Sequence, residues 1–158
     1  RAVAEGEKVE FSFDGNGLKF TKAYYETVAT IPDNGNFDIL AHFDLVVKNN
    51  ETLNFVDTAS PEYKKYALEA MDALVGKIPF FEVNTGAISR GVRTSPYPAL
   101  NLLQALKKEN APIILSSDSH SVSTLDCAFE DTRRMLFDLG FREVCSLSGG
   151  SFKKYPIL

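Results

Sequence analysis

The stretch APIILSSDSH, Ala111 to His120, sets a short apolar run, Ile113 to Leu115, against a polar end that carries Asp118 and His120. A run this short and this apolar, bounded by polar residues, reads as a buried strand over Ile113 to Ser116. A core strand has no use for a carboxylate and an imidazole two positions apart at its end. The chain holds 2 histidines. The other, His42, follows the apolar run Phe37 to Ala41 and precedes Asp44 by two positions. A third run, Ile78 to Val83, carries Glu82 and Asn84 at the same spacing. In extended backbone, residues i and i+2 face the same side. Each pair is therefore expected to project as a unit.

Helical patterns separate these runs. Thr21 to Ile31 places Tyr24, Tyr25, Val28 and Ala29 at helical spacing. Ser60-Pro61 is an N-cap followed by a first-turn proline. Behind it, Tyr63, Tyr66, Ala67, Ala70, Met71 and Leu74 form one stripe, and Gly76 suits the position past the helix end. Pro98 to Glu109 and Thr124 to Leu139 complete the helices, the latter stopped by Gly140. These stripes are core faces, not cofactor contacts. Glu143 to Leu147 reads as a further strand. At the start, Val9, Phe11 and Phe13 alternate ahead of the turn Asp14 to Gly17, the pattern of a short strand.

Strands alternating with helices indicate an α/β fold with parallel strands and right-handed crossovers. Parallel strands put their C-terminal ends on one edge, where ligands of such folds bind. His42 with Asp44, Glu82 with Asn84, and Asp118 with His120 should meet there. Carboxylates gathered in one place need cations, and mixed His, Asp and Glu donors suit Zn, Mn or Fe. Glu82 and Asn84 are the poorer ligands of the set and are assigned to substrate or to holding other groups. A plainer alternative for each pair is a cap and turn. Asp118 between Ser117 and Ser119 could simply start the next helix.

Bulk composition narrows the function. The 158 residues are 44% hydrophobic and 24% charged, with a net charge of −4. That length allows one domain with a real core. The acidic balance speaks against nucleic acid or an anionic membrane as partner. No apolar stretch reaches the roughly 18 residues that mark a membrane span, and RAVAEGEKVE has no signal-peptide pattern. Cys127 and Cys145 follow no pattern and are expected to be buried thiols in a cytoplasmic protein.

In order along the chain, YYETV, GNFDILAHFDLV, FFEVNTGAISR, SPYPALNLLQALKKENAPIILSSDSH and LFDLGFREV resemble the PHP-domain phosphoesterases, most closely their histidinol-phosphatase branch. The resemblance covers roughly residues 20 to 158. It implies a distorted seven-stranded (β/α) barrel with up to three metal ions at its C-terminal mouth, hydrolysing phosphate esters with metal-activated water. By position His42, Asp118 and His120 become metal ligands, with Asp118 and His120 catalytic. Glu82, Asn84 and Asp44 fall in the surrounding shell. Arg90 and Lys48 are the candidates for holding phosphate, Arg90 through a fork of donors. The family's opening His-x-His and its further histidines have no counterpart among the two in this chain, and Arg1 stands where Met would begin. All of 1–158 is therefore expected to be the C-terminal half of a longer barrel, holding fewer metals or none and inactive alone. Its open edge is expected to associate with another chain. Hydrolysis of a different small phosphate ester, and a non-catalytic binding domain, remain the alternatives.

Overall fold

A computed structural model describes residues 13–158 of the chain. The expected strand at Val9 and Phe11 lies outside these residues. Phe13 packs its ring 5.3 Å from Phe20.

Helix α1 spans Gly17–Ala29, starting earlier than its apolar spacing suggested. Asn16 explains the earlier start: its side chain accepts the Lys19 N–H at 2.9 Å and caps the helix. Strand β1, Ile39–Leu40, is short. A 3₁₀ turn, Leu45–Val47, and helix α2, Asn50–Leu53, follow it. Helix α3, Pro61–Leu74, has the Ser60 cap and first-turn proline read from sequence, with Ser60 Oγ accepting the Tyr63 N–H at 3.2 Å. It buries Tyr63, Ala67, Ala70, Met71 and Leu74. Against it lies α1, and the Tyr25 and Tyr63 hydroxyls meet at 2.9 Å.

Strand β2, Phe80–Asn84, leads into the one-turn helix α4, Gly86–Ser89. Helix α5, Leu100–Lys108, buries Leu102, Leu103 and Leu106. Strand β3 is Ile113–Ser116, as read. Helix α6, Phe129–Asp138, is shorter than the expected Thr124 to Leu139. Two features hold the chain off the helix. Ser119, Ser121 and Thr124 exchange hydroxyl bonds in a tight loop, and Ala128 takes φ +59°. Strand β4, Glu143–Ser148, then pairs with β5, Ser151–Pro156.

The sheet order is β1-β2-β3-β4-β5. Strands β1 to β4 are parallel, as expected. The last pair departs from the all-parallel expectation: β5 runs antiparallel to β4. Gly149 and Gly150, both at positive φ, make the two-residue hairpin turn that allows it.

Phe81, Val83 and Ile113 enter the core with α3 and α5. Phe80, Glu82 and Asn84 alternate onto the opposite face. There Phe80 of β2 meets Phe152 of β5 at 4.1 Å between ring centres. In a flat sheet those two strands would stand about 14 Å apart, three steps of ~4.8 Å. The sheet is therefore strongly curled, with these two rings on its concave side. Among the described residues β1 and β5 form its two edges. Both cysteines are free, Cys145 buried and Cys127 half-buried.

Candidate active site

The C-terminal ends of β1, β2 and β3 bring His42, Glu82, Asn84 and Asp118 together. Strand alternation puts Glu82 and Asn84 on one side of β2, as their spacing predicted. Glu82 Oε2 accepts the His42 backbone N–H at 3.1 Å and stands 3.5 Å from Nδ1 of its ring. Asn84 Nδ2 lies 3.1 Å from His42 Nε2. The other end of that amide is committed, since Asn84 Oδ1 accepts the Gly86 N–H at 2.8 Å. Nδ2 is thus the donor and His42 Nε2 the acceptor, which places the ring proton on Nδ1, facing Glu82.

Asp118 Oδ2 lies 3.4 Å from the same Nε2. Arg90, from the end of α4, donates Nη2 to Asp118 Oδ2 at 2.9 Å and Nη1 to the Asp118 carbonyl at 3.1 Å. Partial burial by itself would raise the Asp118 carboxyl. The hydrogen bond from Arg90, together with its charge, outweighs it and holds the group below the ordinary aspartate value. Asp118 is therefore a fixed anion at neutral pH.

Glycine is required at position 86 for these groups to meet. A Cβ there would stand 2.8 Å from Arg90 Nη2, 2.8 Å from the Ser117 carbonyl oxygen and 2.9 Å from Asp118 Cβ. The sequence reading did not single out Gly86.

Two of the three pairs do not project as units. His42 takes φ +52° and Asp118 φ +44°. Neither is extended, so the two-residue rule fails at both. After His42 the chain turns inward, and Asp44 is completely buried. Its Oδ2 accepts the Ala99 N–H at 3.0 Å and stands 3.6 Å from Arg93 Nη1. Burial pushes the Asp44 carboxyl up, and Arg93 only partly offsets it. His120 points largely into solvent, 3.7 Å from Asp118 Oδ1. Lys48 ends the 3₁₀ turn after His42, its N–H on the Leu45 carbonyl. No ion pair or side-chain hydrogen bond among the described residues joins it to the cluster. Of the two expected phosphate-holding cations, Arg90 is the one that lies beside Asp118.

Sequence reasoning missed Arg93 and Tyr97. The Arg93 guanidinium lies over the Tyr97 ring at 4.3 Å, and Tyr97 is buried 6.2 Å from the His42 ring. The only local signal was SPYP, which opens one of the stretches that carry the resemblance.

Among the described residues no three His, Cys, Asp or Glu side chains are grouped to hold a metal ion. The cation beside Asp118 is the Arg90 guanidinium. What the arrangement offers is an anionic carboxylate, an imidazole with a defined tautomer, and an exposed arginine.

No helix among the described residues is long and apolar enough to cross a membrane. No protein-family model matches the chain. Two curated proteins do. The probable histidinol-phosphatase of Deinococcus radiodurans is 30% identical over 121 residues, 77% of this chain and 43% of that protein. The probable histidinol-phosphatase of Schizosaccharomyces pombe is 24% identical over 119 residues, 71% of this chain and 37% of that protein. The chain thus spans about two-fifths of the length of the curated relatives it matches. Its sequence similarity is to proteins named as phosphatases.

Proposed function

We propose that the chain supplies part of the active site of a phosphatase-like hydrolase whose substrate is a small phosphate monoester, histidinol phosphate first among the candidates. The observation that carries this reading is the meeting of His42 and Asp118, from two strand ends, with Arg90, from the end of α4. The similarity to two probable histidinol-phosphatases supports the choice of that substrate.

Each group has a task such a reaction needs. Arg90 offers planar N–H donors to phosphate oxygens, the match for which guanidinium is suited. In exchange it would loosen from Asp118 as the ester enters. His42, with Nδ1–H turned to Glu82, presents Nε2 at the mouth, where it would take a proton by giving up the Asn84 hydrogen bond. Asp118 supplies a fixed negative charge beside that nitrogen. Holding divalent Zn, Mn or Fe at His42, Asp118 and His120 would require further ligands. In a protein of the relatives' length, other segments would supply them and would continue the curled sheet toward a barrel.

Binding without turnover is the second reading. It is favoured by the pairing of Arg90 with Asp118, which neutralises the carboxylate. The two readings separate in one experiment. Phosphate release from histidinol phosphate is measured with this chain and with a protein of the relatives' length. Turnover in the longer protein that His42→Ala removes supports the hydrolase. Saturable binding with no turnover in either sinks it.

A further inference from the structure

Behind His42 lies a buried polar cluster that the proposed chemistry does not use. Asp44, Arg93 and Tyr97 are 0%, 8% and 1% exposed. Four of their atoms have no hydrogen-bonding protein partner: Asp44 Oδ1, Arg93 Nε, Arg93 Nη1 and Tyr97 OH. The Arg93 to Asp44 pair, at 3.6 Å, is too long for a full hydrogen bond. A buried ion pair with orphaned donors costs folding energy instead of supplying it. Stability is a poor reason for its presence.

Its connections suggest a better one. Asp44 follows His42 by two residues and holds the Ala99 N–H at 3.0 Å. Arg93 lies on the Tyr97 ring at 4.3 Å. The Tyr97 backbone exchanges two hydrogen bonds with Asn84, at 2.9 and 2.8 Å. Asn84 in turn reaches His42 Nε2 at 3.1 Å. The contacts form a closed circuit from His42 through Asp44, Arg93, Tyr97 and Asn84 back to the imidazole. A second brace comes from Tyr24, whose hydroxyl donates toward the His42 and Phe43 carbonyls at 3.3 and 3.1 Å.

We infer that Arg93, held between Asp44 and Tyr97, is a positioning residue that fixes the orientation of the His42 imidazole. Its ion pair is with Asp44 and its ring contact with Tyr97, not with His42. It acts by fixing both ends of the circuit, the loop that carries His42 and the strand end that carries Asn84. His42 sits in left-handed backbone, a conformation that persists only when its surroundings determine it. The circuit is that determination. This inference takes from the functional proposal only the importance of His42, and its test measures no turnover.

The test is the imidazole nitrogen–proton spectrum of the intact chain, which has only two histidines to assign. Arg93→Met is expected to shift the His42 ring signals and leave those of solvent-facing His120 in place. Arg93→Lys, which keeps charge without the planar fork, should move them part of the way. A purely structural role would lower the denaturation midpoint with the His42 signals unmoved, and that result overturns the inference. If Arg93→Met does not fold, Asp44→Asn and Tyr97→Phe carry the same readout. Unmoved His42 signals in both would overturn it equally. Because phosphate release plays no part, failure here leaves the phosphatase reading standing, and failure of that reading leaves this one.

Discussion

His42 Nε2 and Asp118 Oδ2 stand 3.4 Å apart across a separation of 76 residues, and both residues hold left-handed backbone, with φ +52° and +44°. Such a conformation costs a non-glycine residue on the order of 1–3 kcal/mol. Two strained residues in contact at adjacent strand ends mark a place where geometry is kept at the expense of stability. That is the pattern of a working site.

The Arg90 to Asp118 pair sets a pH dependence. The folded-state value of Asp118 lies below its ordinary 3.8. A depressed carboxylate stabilises the fold above its unfolded value and loses that contribution as pH falls through the folded one. Arg90→Met removes the offset to burial, so the Asp118 midpoint should rise when titrated by carboxyl carbon shifts. The parent's advantage in denaturant midpoint should be present at pH 7 and shrink below about pH 4. An advantage unchanged from pH 7 to pH 3 would show that the pair contributes no titrating interaction.

Gly86→Ala adds one methyl group against the Ser117 carbonyl and Asp118 Cβ. Backbone cannot rotate away as a side chain can, so strain of about 1–3 kcal/mol is expected. Urea denaturation reads the loss, and the Asp118 amide signal should move with it. A variant as stable as the parent, with Asp118 unmoved, would contradict the close approach.

Tyr25 and Tyr63 share a hydroxyl contact at 2.9 Å inside the α1–α3 interface. Burial holds both phenols well above their ordinary value, so neither ionises near neutrality. Tyr63→Phe leaves the Tyr25 hydroxyl buried and alone, at a cost of about 1–3 kcal/mol. Replacing both by Phe should recover most of that, because neither partner is then orphaned. A double variant less stable than the single one would show that the pair itself is strongly favourable.

Asp44→Ala leaves the Arg93 guanidinium buried without its counter-charge. Removing one member of such a pair costs about 3–5 kcal/mol. Thermal and urea unfolding check it. A loss under 1 kcal/mol would mean that water reaches Arg93.

Much of this arrangement was legible in the sequence. Apolar runs marked β2, β3 and β4, because buried parallel strands read as short continuous hydrophobic stretches. The Ser60 cap and the stripe behind it located α3. Strand β5 escaped, since SFKKYP carries two lysines and a proline and stays largely exposed as an edge. The alternation rule placed Glu82 and Asn84 correctly and Asp44 wrongly, because it assumes extended backbone and His42 is not extended. Arg93 left no local trace, and Tyr97 only the SPYP stretch. Their partner Asp44 lies about fifty positions away, and no periodicity reports a contact of that kind.

The measurement that tests the central claim most directly is a titration of the chain with histidinol phosphate, followed by the amide and side-chain NMR signals of residues 42, 84, 90 and 118. The account predicts saturable shifts at these four positions, with inorganic phosphate reproducing those at Arg90 and Asp118, and their loss in Arg90→Met. Shifts absent from these strand ends, or undiminished without the guanidinium, would contradict it.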